Sequence, residues 1–239
     1  YASQCKLLRS VDSIMPKNYI KEVFQSAKLH NQIDIFAEVR GKLNEEELRI
    51  LKNAHVINVQ SGIESFCTVN LQRMNKGLTA FNNIKFLKLC NQYGIAVLWN
   101  LLAGISFEDE SIYETYEKYL PLFYHLHPPT GMWPISYDKN CDYAQNPSRY
   151  QLRLEPDTEL LSYLYPYETA ELEKLAYFYR NMDYQEVFTP KKMKKIYKIN
   201  SLIQSWRKKW KEEDGKQLPY LYFDTDGKQE IVIDTRFDE

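Results

Sequence analysis

The run Val59-Gln60-Ser61-Gly62-Ile63-Glu64-Ser65-Phe66, continued by Leu71, Met74-Asn75-Lys76-Gly77 and Thr79, decides the fold. A β-rich segment, His55 to Gln60, empties into a loop bearing a carboxylate, and Lys76 follows twelve residues after Glu64. Loops at the C-terminal ends of parallel strands are where βα folds bind ligands. Upstream, Ile33 to Val39 reads as a strand, and Asn44 with Glu47 three residues on reads as a capping-box start to a helix carrying Leu48, Leu51 and Lys52. Downstream, Thr79 opens a helix with Ile84, Leu87 and Cys90 inward, and Gly94 sits where a left-handed cap would end it. Ile95 to Ala103 is nearly all apolar, the pattern of a strand covered on both faces. Glu108, Asp109 and Glu110 head a further helix, which suits the positive end of its dipole; it runs to about Leu126 and is stopped by His127-Pro128-Pro129. Met132 to Tyr137 is the last strand of this rhythm.

Strands alternating with helices predict an α/β protein with a parallel sheet. The expected fold is a partial TIM-type barrel of about four parallel βα units, followed by a helical tail with a β-hairpin. Three regions follow: barrel over 1–140, a crossing segment and packed helix over 141–190, and a basic helix plus hairpin over 191–239. Within the second, residues 138–167 are rich in Tyr, Pro and Asn and read as a surface crossing. Glu168 to Met182 reads as a helix with Leu172, Leu175, Ala176 and Tyr179 on one face. In the third, Leu218–Phe223 and Glu230–Asp234 flank Asp224-Thr225-Asp226-Gly227, whose Asp-Gly pair signals a hairpin turn.

With 239 residues, 44% of them hydrophobic, the chain can bury a sizeable core. Its 31 basic and 32 acidic residues leave a formal charge of -1, so no global field draws it to nucleic acid or an anionic membrane. Without a run of about 20 apolar residues or a signal segment, a cytoplasmic protein with no membrane partner is expected. Cys5, Cys67, Cys90 and Cys141 are widely spaced and form no Cys-x-x-Cys pair, which points to reduced thiols. The start at Tyr1, directly before Cys5-Lys6-Leu7-Leu8, suggests an excerpt of a longer protein.

The Glu64 loop with Lys76-Gly77, together with Trp99-Asn100-Leu101-Leu102-Ala103-Gly104, resembles cobalamin-dependent radical S-adenosylmethionine (SAM) enzymes, in particular maturases of ribosomally made peptides (RiPP maturation). Asp12-Ser13-Ile14-Met15-Pro16, Phe36-Ala37-Glu38-Val39-Arg40, His125-Leu126-His127-Pro128-Pro129 and Leu175-Ala176-Tyr177-Phe178 echo that family in its order, and Asp234-Thr235-Arg236 is similar to its C-terminal module. The resemblance implies a SAM site on the strand ends. Glu64 would hold the amino group of SAM and Lys76 its carboxylate. Glu38 would lie near the ribose or amino group, and Asn100 near the ribose. A zwitterionic methionine end with a cationic sulfonium needs both signs within reach of a rigid rim. Each residue also has an ordinary reading. Glu64 reads as a helix-start acid, Lys76 as a cation beside a helix cap, and Glu38 as half of an ion pair with Arg40. Asn100 reads as a buried amide that must find partners.

A radical SAM centre also needs a 4Fe-4S cluster held by Cys-x-x-x-Cys-x-x-Cys, which the sequence lacks. The expectation is a fragment whose cluster and cobalamin ligands lie upstream, inactive alone, with no catalytic or metal-binding residue of its own. A naturally cluster-free relative is the alternative. Gly104-Ile105-Ser106-Phe107-Glu108 stands where the family shows Gly-x-Pro-Gly-Glu, and Asp138-Lys139-Asn140-Cys141-Asp142-Tyr143 where it shows Asp-Arg-Phe-Ser-Pro-Tyr. The parent reaction the resemblance implies is radical modification of a peptide substrate, such as C-methylation through cobalamin.

A rival is a cluster-free barrel that binds a peptide or partner through its Tyr-rich crossing and basic helix. A metabolic barrel enzyme is disfavoured, since no Gly-rich phosphate loop is present. The basic helix, 191–211, carries Lys191, Lys192, Lys194, Lys195, Lys198, Arg207, Lys208, Lys209 and Lys211, interleaved with Met193, Ile196, Tyr197, Trp206 and Trp210. It reads either as a docking surface for an acidic leader peptide, RNA or an anionic surface, or as a solvated helix whose aromatics pack on the barrel. Glu212, Glu213 and Asp214 beyond it would offset a nucleic-acid field. Open sheet edges predict homo-oligomer contacts.

Overall fold

The computed structural model describes residues 6–11, 14–26, 33–211, 218–225 and 227–237. Cys5, Asp12-Ser13, the acids Glu212 to Asp214 and the turn residue Asp226 lie outside the described residues.

Strands β1 (Leu7–Arg9), β2 (Asp34–Glu38), β3 (Val56–Gln60) and β4 (Ala96–Leu98) form a parallel sheet in chain order. Helix α1 (Glu45–Asn53) joins β2 to β3, and α2 (Thr68–Arg73) and α3 (Ala80–Gln92) join β3 to β4. The capping box at the head of α1 is formed: Glu47 N donates to Asn44 Oδ1 and Asn44 N to Glu47 Oε2, both at 2.9 Å. Thr79 caps α3 with Asn82 as partner, and Gly94 after its end has φ +61°. Strand β5 (Leu101–Ala103), helix α4 (Ser111–Tyr119) and β6 (Met132–Pro134) follow, with β6 parallel to β5.

The segment Ile95 to Ala103, read as one strand, is therefore two. Gln60 pairs with Leu98, and Glu64 bridges to Leu101. Four residue steps on one side face three on the other, and this extra residue interrupts the ladder at Trp99 and Asn100.

Ala37, Val59 and Val97 are in register and buried toward the helices. Their neighbours Glu38, Gln60 and Leu98 are in register on the opposite face, where Leu98 is 43% and Trp133 53% exposed. Parallel sheets are as a rule covered on both faces. Here one face stays open among the described residues, so the fold is mixed α/β with a parallel sheet, and closure into a TIM-type barrel is not shown.

Past β6 the structure departs from expectation. Strand β7 (Tyr137–Asp138), helix α5 (Asp142–Gln145), β8 (Leu154–Pro156), α6 (Glu159–Leu164), α7 (Thr169–Leu175), β9 (Phe178–Asn181) and α8 (Tyr184–Val187) build a small region around an antiparallel sheet of order β7-β9-β8. The segment read as a surface crossing thus contains strands. The helix expected to reach Met182 ends at Leu175, where Ala176 turns extended and the aromatic run Tyr177-Phe178-Tyr179 favours strand. Likewise α4 stops at Tyr119, because Pro121 turns the chain into a short 3-10 segment, Leu120–Phe123, ahead of the expected His127-Pro128-Pro129 stop.

Helix α9 (Pro190–Lys209) packs its Ile196, Ile199, Ile203 and Trp206 into the same core as Val59, Ile63, Leu87 and Leu101. Trp206 is fully buried and its Nε1 donates to Leu126 O at 2.9 Å. On its charged side Lys195 pairs with Glu114 (3.0 Å) and Glu110 (3.7 Å), and Lys198 with Glu117. Glu110, Glu114 and Glu117 thus pair with Lys192, Lys195 and Lys198, three of the nine basic residues over 191–211. Gly104, at φ +78°, lies under the ring of Phe188, which any side chain at position 104 would overlap. The antiparallel hairpin of β10 (Leu221–Thr225) and β11 (Glu230–Asp234) forms, but its first strand starts later than Leu218 and takes in Asp224 and Thr225, which were read as turn; Arg236 Nη1 donates to Leu122 O at 2.6 Å.

Candidate functional site

Glu64 follows β3 and bridges to β5, at the C-terminal mouth of the parallel strands. Its backbone is left-handed (φ +59°), a conformation costing a non-glycine residue roughly 1–2 kcal/mol. Its Oε1 accepts from Lys76 Nζ at 2.5 Å, while its Oε2 is buried with no hydrogen-bond partner. A carboxylate oxygen removed from water without a donor is costly, so this is a group poised for one. Lys76 reaches it because α2 ends at Arg73 and the chain turns back through left-handed Asn75 (φ +55°) and Gly77 (φ +60°). Gly62 makes room for the pair: a β-carbon there would lie 3.0 Å from Glu64 Oε1 and 3.6 Å from Lys76 Nζ.

Three adjoining cavities meet at Glu64. One of about 750 Å³ is lined by Glu38, Arg40, Lys42, Gln60, Glu64 and Lys76. A second, about 380 Å³, includes Gln60, Glu64, Trp99, Asn100, Leu102 and Thr130. The third, about 340 Å³, includes Glu64, Lys76, Asp138, Cys141 and Tyr143. Glu38, Glu64 and Lys76 thus line the first cavity, and Asn100 lines the second, which shares Gln60, Gly62 and Glu64 with it. Glu38 ends β2 and forms no ion pair among the described residues, so the plain pair with Arg40 is not made. Asn100 is not the buried amide read from its apolar neighbours. It is exposed at the strand break, and its Oδ1 accepts from Thr130 Oγ1.

The sequence singled out Tyr143 only as the last residue of the altered run Asp138 to Tyr143. Its hydroxyl is buried without a partner in the third cavity, and burial, then Tyr150, Tyr137 and the Glu64 carboxylate, push its pKa up, so it stays a neutral phenol. Glu108, read as a helix-start acid, turns inward instead. It accepts from Tyr113 OH (2.5 Å), Gly104 N (3.1 Å) and Asn70 Nδ2 (3.3 Å), and burial raises its pKa. It organises the loop after β5 rather than the mouth. Cys90 is buried in the core and its thiol is pushed up to about 12, which makes it inert.

Among the described residues no group of three or more His, Cys, Asp or Glu could hold a metal ion, so these residues do not fit an iron–sulfur cluster. They do fit the zwitterionic end of SAM: the donor set holds one acid with an orphaned oxygen and one base, side by side. Nothing in the described site selects cobalamin. No helix among the described residues is long and apolar enough to cross a membrane.

No protein-family model and no curated protein matches the sequence. Solved structures of TsrM, a radical S-adenosylmethionine methyltransferase from Kitasatospora setae, are similar in part. With tryptophan substrate and the SAM analogue aza-SAM bound, the TM-score is 0.40 at 18% identity over 51% of this chain and 24% of that one. With cobalamin and a [4Fe-4S] cluster bound, it is 0.46 at 18% identity over 57% and 27%. The chain thus spans about a quarter of the length of the structures it matches.

Proposed function

We propose that the mouth at Glu64 binds SAM, and that the chain is a fragment of a cobalamin-dependent radical SAM enzyme that modifies a peptide, with residues 1–140 the C-terminal part of its barrel. The observation that carries this reading is the Glu64–Lys76 pair, held at the strand ends beside a cavity of about 750 Å³ with one carboxylate oxygen unsatisfied. A bound SAM would supply a sulfonium centre able to give up a methyl or adenosyl group. Lys76 takes the ligand's carboxylate and Glu64 its ammonium, exchanging one ion pair for two; Glu38 and Asn100 line the adjoining space where polar groups of the nucleoside would be received. The 4Fe-4S cluster and cobalamin belong to this reading of the whole protein and find no ligands among the described residues, so no step is drawn through them.

Titration calorimetry with SAM tests it. The full chain is expected to bind SAM, with Glu64→Gln and Lys76→Met each weakening binding about tenfold or more, the effect of losing one charge-assisted contact. Absence of binding by the wild type, or unchanged affinity in both variants, overturns the reading. The rival of a peptide- or partner-binding module draws on the exposure of Leu160, Tyr163 and Leu164 along the crossing segment. It predicts no SAM binding at all.

A further inference from the structure

Asn83 lies in the buried stripe of α3, fully covered, with no role in the site as described so far. Its amide spends both hydrogens on the loop that carries Glu64: Nδ2 donates to Ile63 O at 2.8 Å and to Ser65 O at 2.9 Å. Between those two carbonyls, Glu64 O accepts from Leu102 N at 2.9 Å. Three consecutive carbonyls are therefore held, the outer two by one side chain from α3 and the middle one by β5, while Ile63 O also accepts from Ser65 N at 2.6 Å across Glu64. Ser65 is fixed again from α4, its Oγ lying 2.8 Å from Tyr116 OH, which also accepts from Phe66 N at 3.1 Å. A left-handed non-glycine residue persists only where its surroundings over-determine it, and Glu64 is the residue so bracketed.

We propose that Asn83 is a positioning residue: by clamping Ile63 O and Ser65 O it locks Glu64 in its left-handed backbone and holds the carboxylate toward Lys76 and the ligand's ammonium. This rests on the reading of the mouth as a SAM site. Without the clamp the loop can relax to an ordinary conformation, which rotates the Glu64 side chain away from the mouth. The remaining Asn83 oxygen, Oδ1, is buried without a partner, as is Ser61 Oγ. The amide is therefore kept for its two donors, since its acceptor gains nothing.

SAM titration into the wild type, Asn83→Ala, Glu64→Gln and the double variant tests the lock. Asn83→Ala is expected to weaken SAM binding about tenfold, by loss of two net hydrogen bonds and of orientation. In the Glu64→Gln background it is expected to add little, because Asn83 acts through that carboxylate. An equal loss in both backgrounds marks a merely structural residue and overturns the proposal, as does unchanged binding in Asn83→Ala. If Asn83→Ala does not fold, Asn83→Ser, which retains one donor, is read the same way. Hydrogen exchange at the Leu102 amide judges the lock without any ligand. The proposal expects Asn83→Ala to speed that exchange about tenfold while Leu51 in α1 is unaffected, and unaltered Leu102 exchange overturns it. Failure of the wild type to bind SAM instead strikes the function proposed for the site, leaving the lock to be judged by exchange.

Discussion

At the residue scale, the site depends on what is missing at Gly62. A methyl group there would press on the far ends of Glu64 and Lys76, both flexible, rather than on backbone. Gly62→Ala should therefore change stability by less than about 1 kcal/mol yet weaken SAM binding severalfold by loosening the pair. Urea melts beside calorimetry would separate the two effects, and a large loss of stability with intact binding would contradict the assignment. A second residue sets a pH dependence. Burial lowers His127 to about 4, and its ring packs on Trp210 at 4.5 Å between centroids. The folded state thus takes up this proton less readily than the unfolded one. Stability is present above the unfolded value of about 6.5 and is lost as pH falls through about 4, by up to roughly 3 kcal/mol. Denaturation midpoints between pH 7 and pH 4 should drop for the wild type and flatten in His127→Phe.

At the scale of elements, α9 shows why a run of lysines was ambiguous in sequence. Its most exposed charge pair, Lys198 with Glu117, contributes little, about 0–1 kcal/mol, so the packed face decides its place. Trp206→Ala, which empties a fully buried site and strands Leu126 O, should cost about 3–5 kcal/mol by chemical denaturation. A loss under about 1 kcal/mol would mean that α9 is not anchored there. What the sequence revealed was local: the Asn44–Glu47 box, Thr79 and Gly94 announce α1 and α3 within a few residues. Asn83 carried a readable signal too, as the one amide in the stripe Asn83, Phe86, Leu87, Cys90, but its partners lie eighteen and twenty residues away. The strands β7, β8 and β9 have two to four residues each, too few for alternation to register, and Leu172, Leu175, Ala176 and Tyr179 mimic helical spacing across what is in fact a helix, a turn and a strand.

At the scale of the molecule, the parallel order of strands and the charges at their mouth were legible, because β-rich and helical runs alternate and Glu64 and Lys76 both fall in the crossover that follows β3. The open face was not legible, since Leu98 and Trp133 read as core until the register shows which way they point. The same openness leaves Leu8 of β1, the outermost described strand of its sheet, 47% exposed. Sedimentation velocity is expected to reveal concentration-dependent self-association that Leu8→Lys suppresses, and a monodisperse monomer at all concentrations would refute it. Finally, the bare α-carbon of Gly104 beneath the ring of Phe188 couples a turn after β5 to the approach of α9, eighty-four positions later. Neither position can drift alone: a descendant that gains a side chain at 104 must first surrender the aromatic at 188, so substitutions at the two should be inherited together.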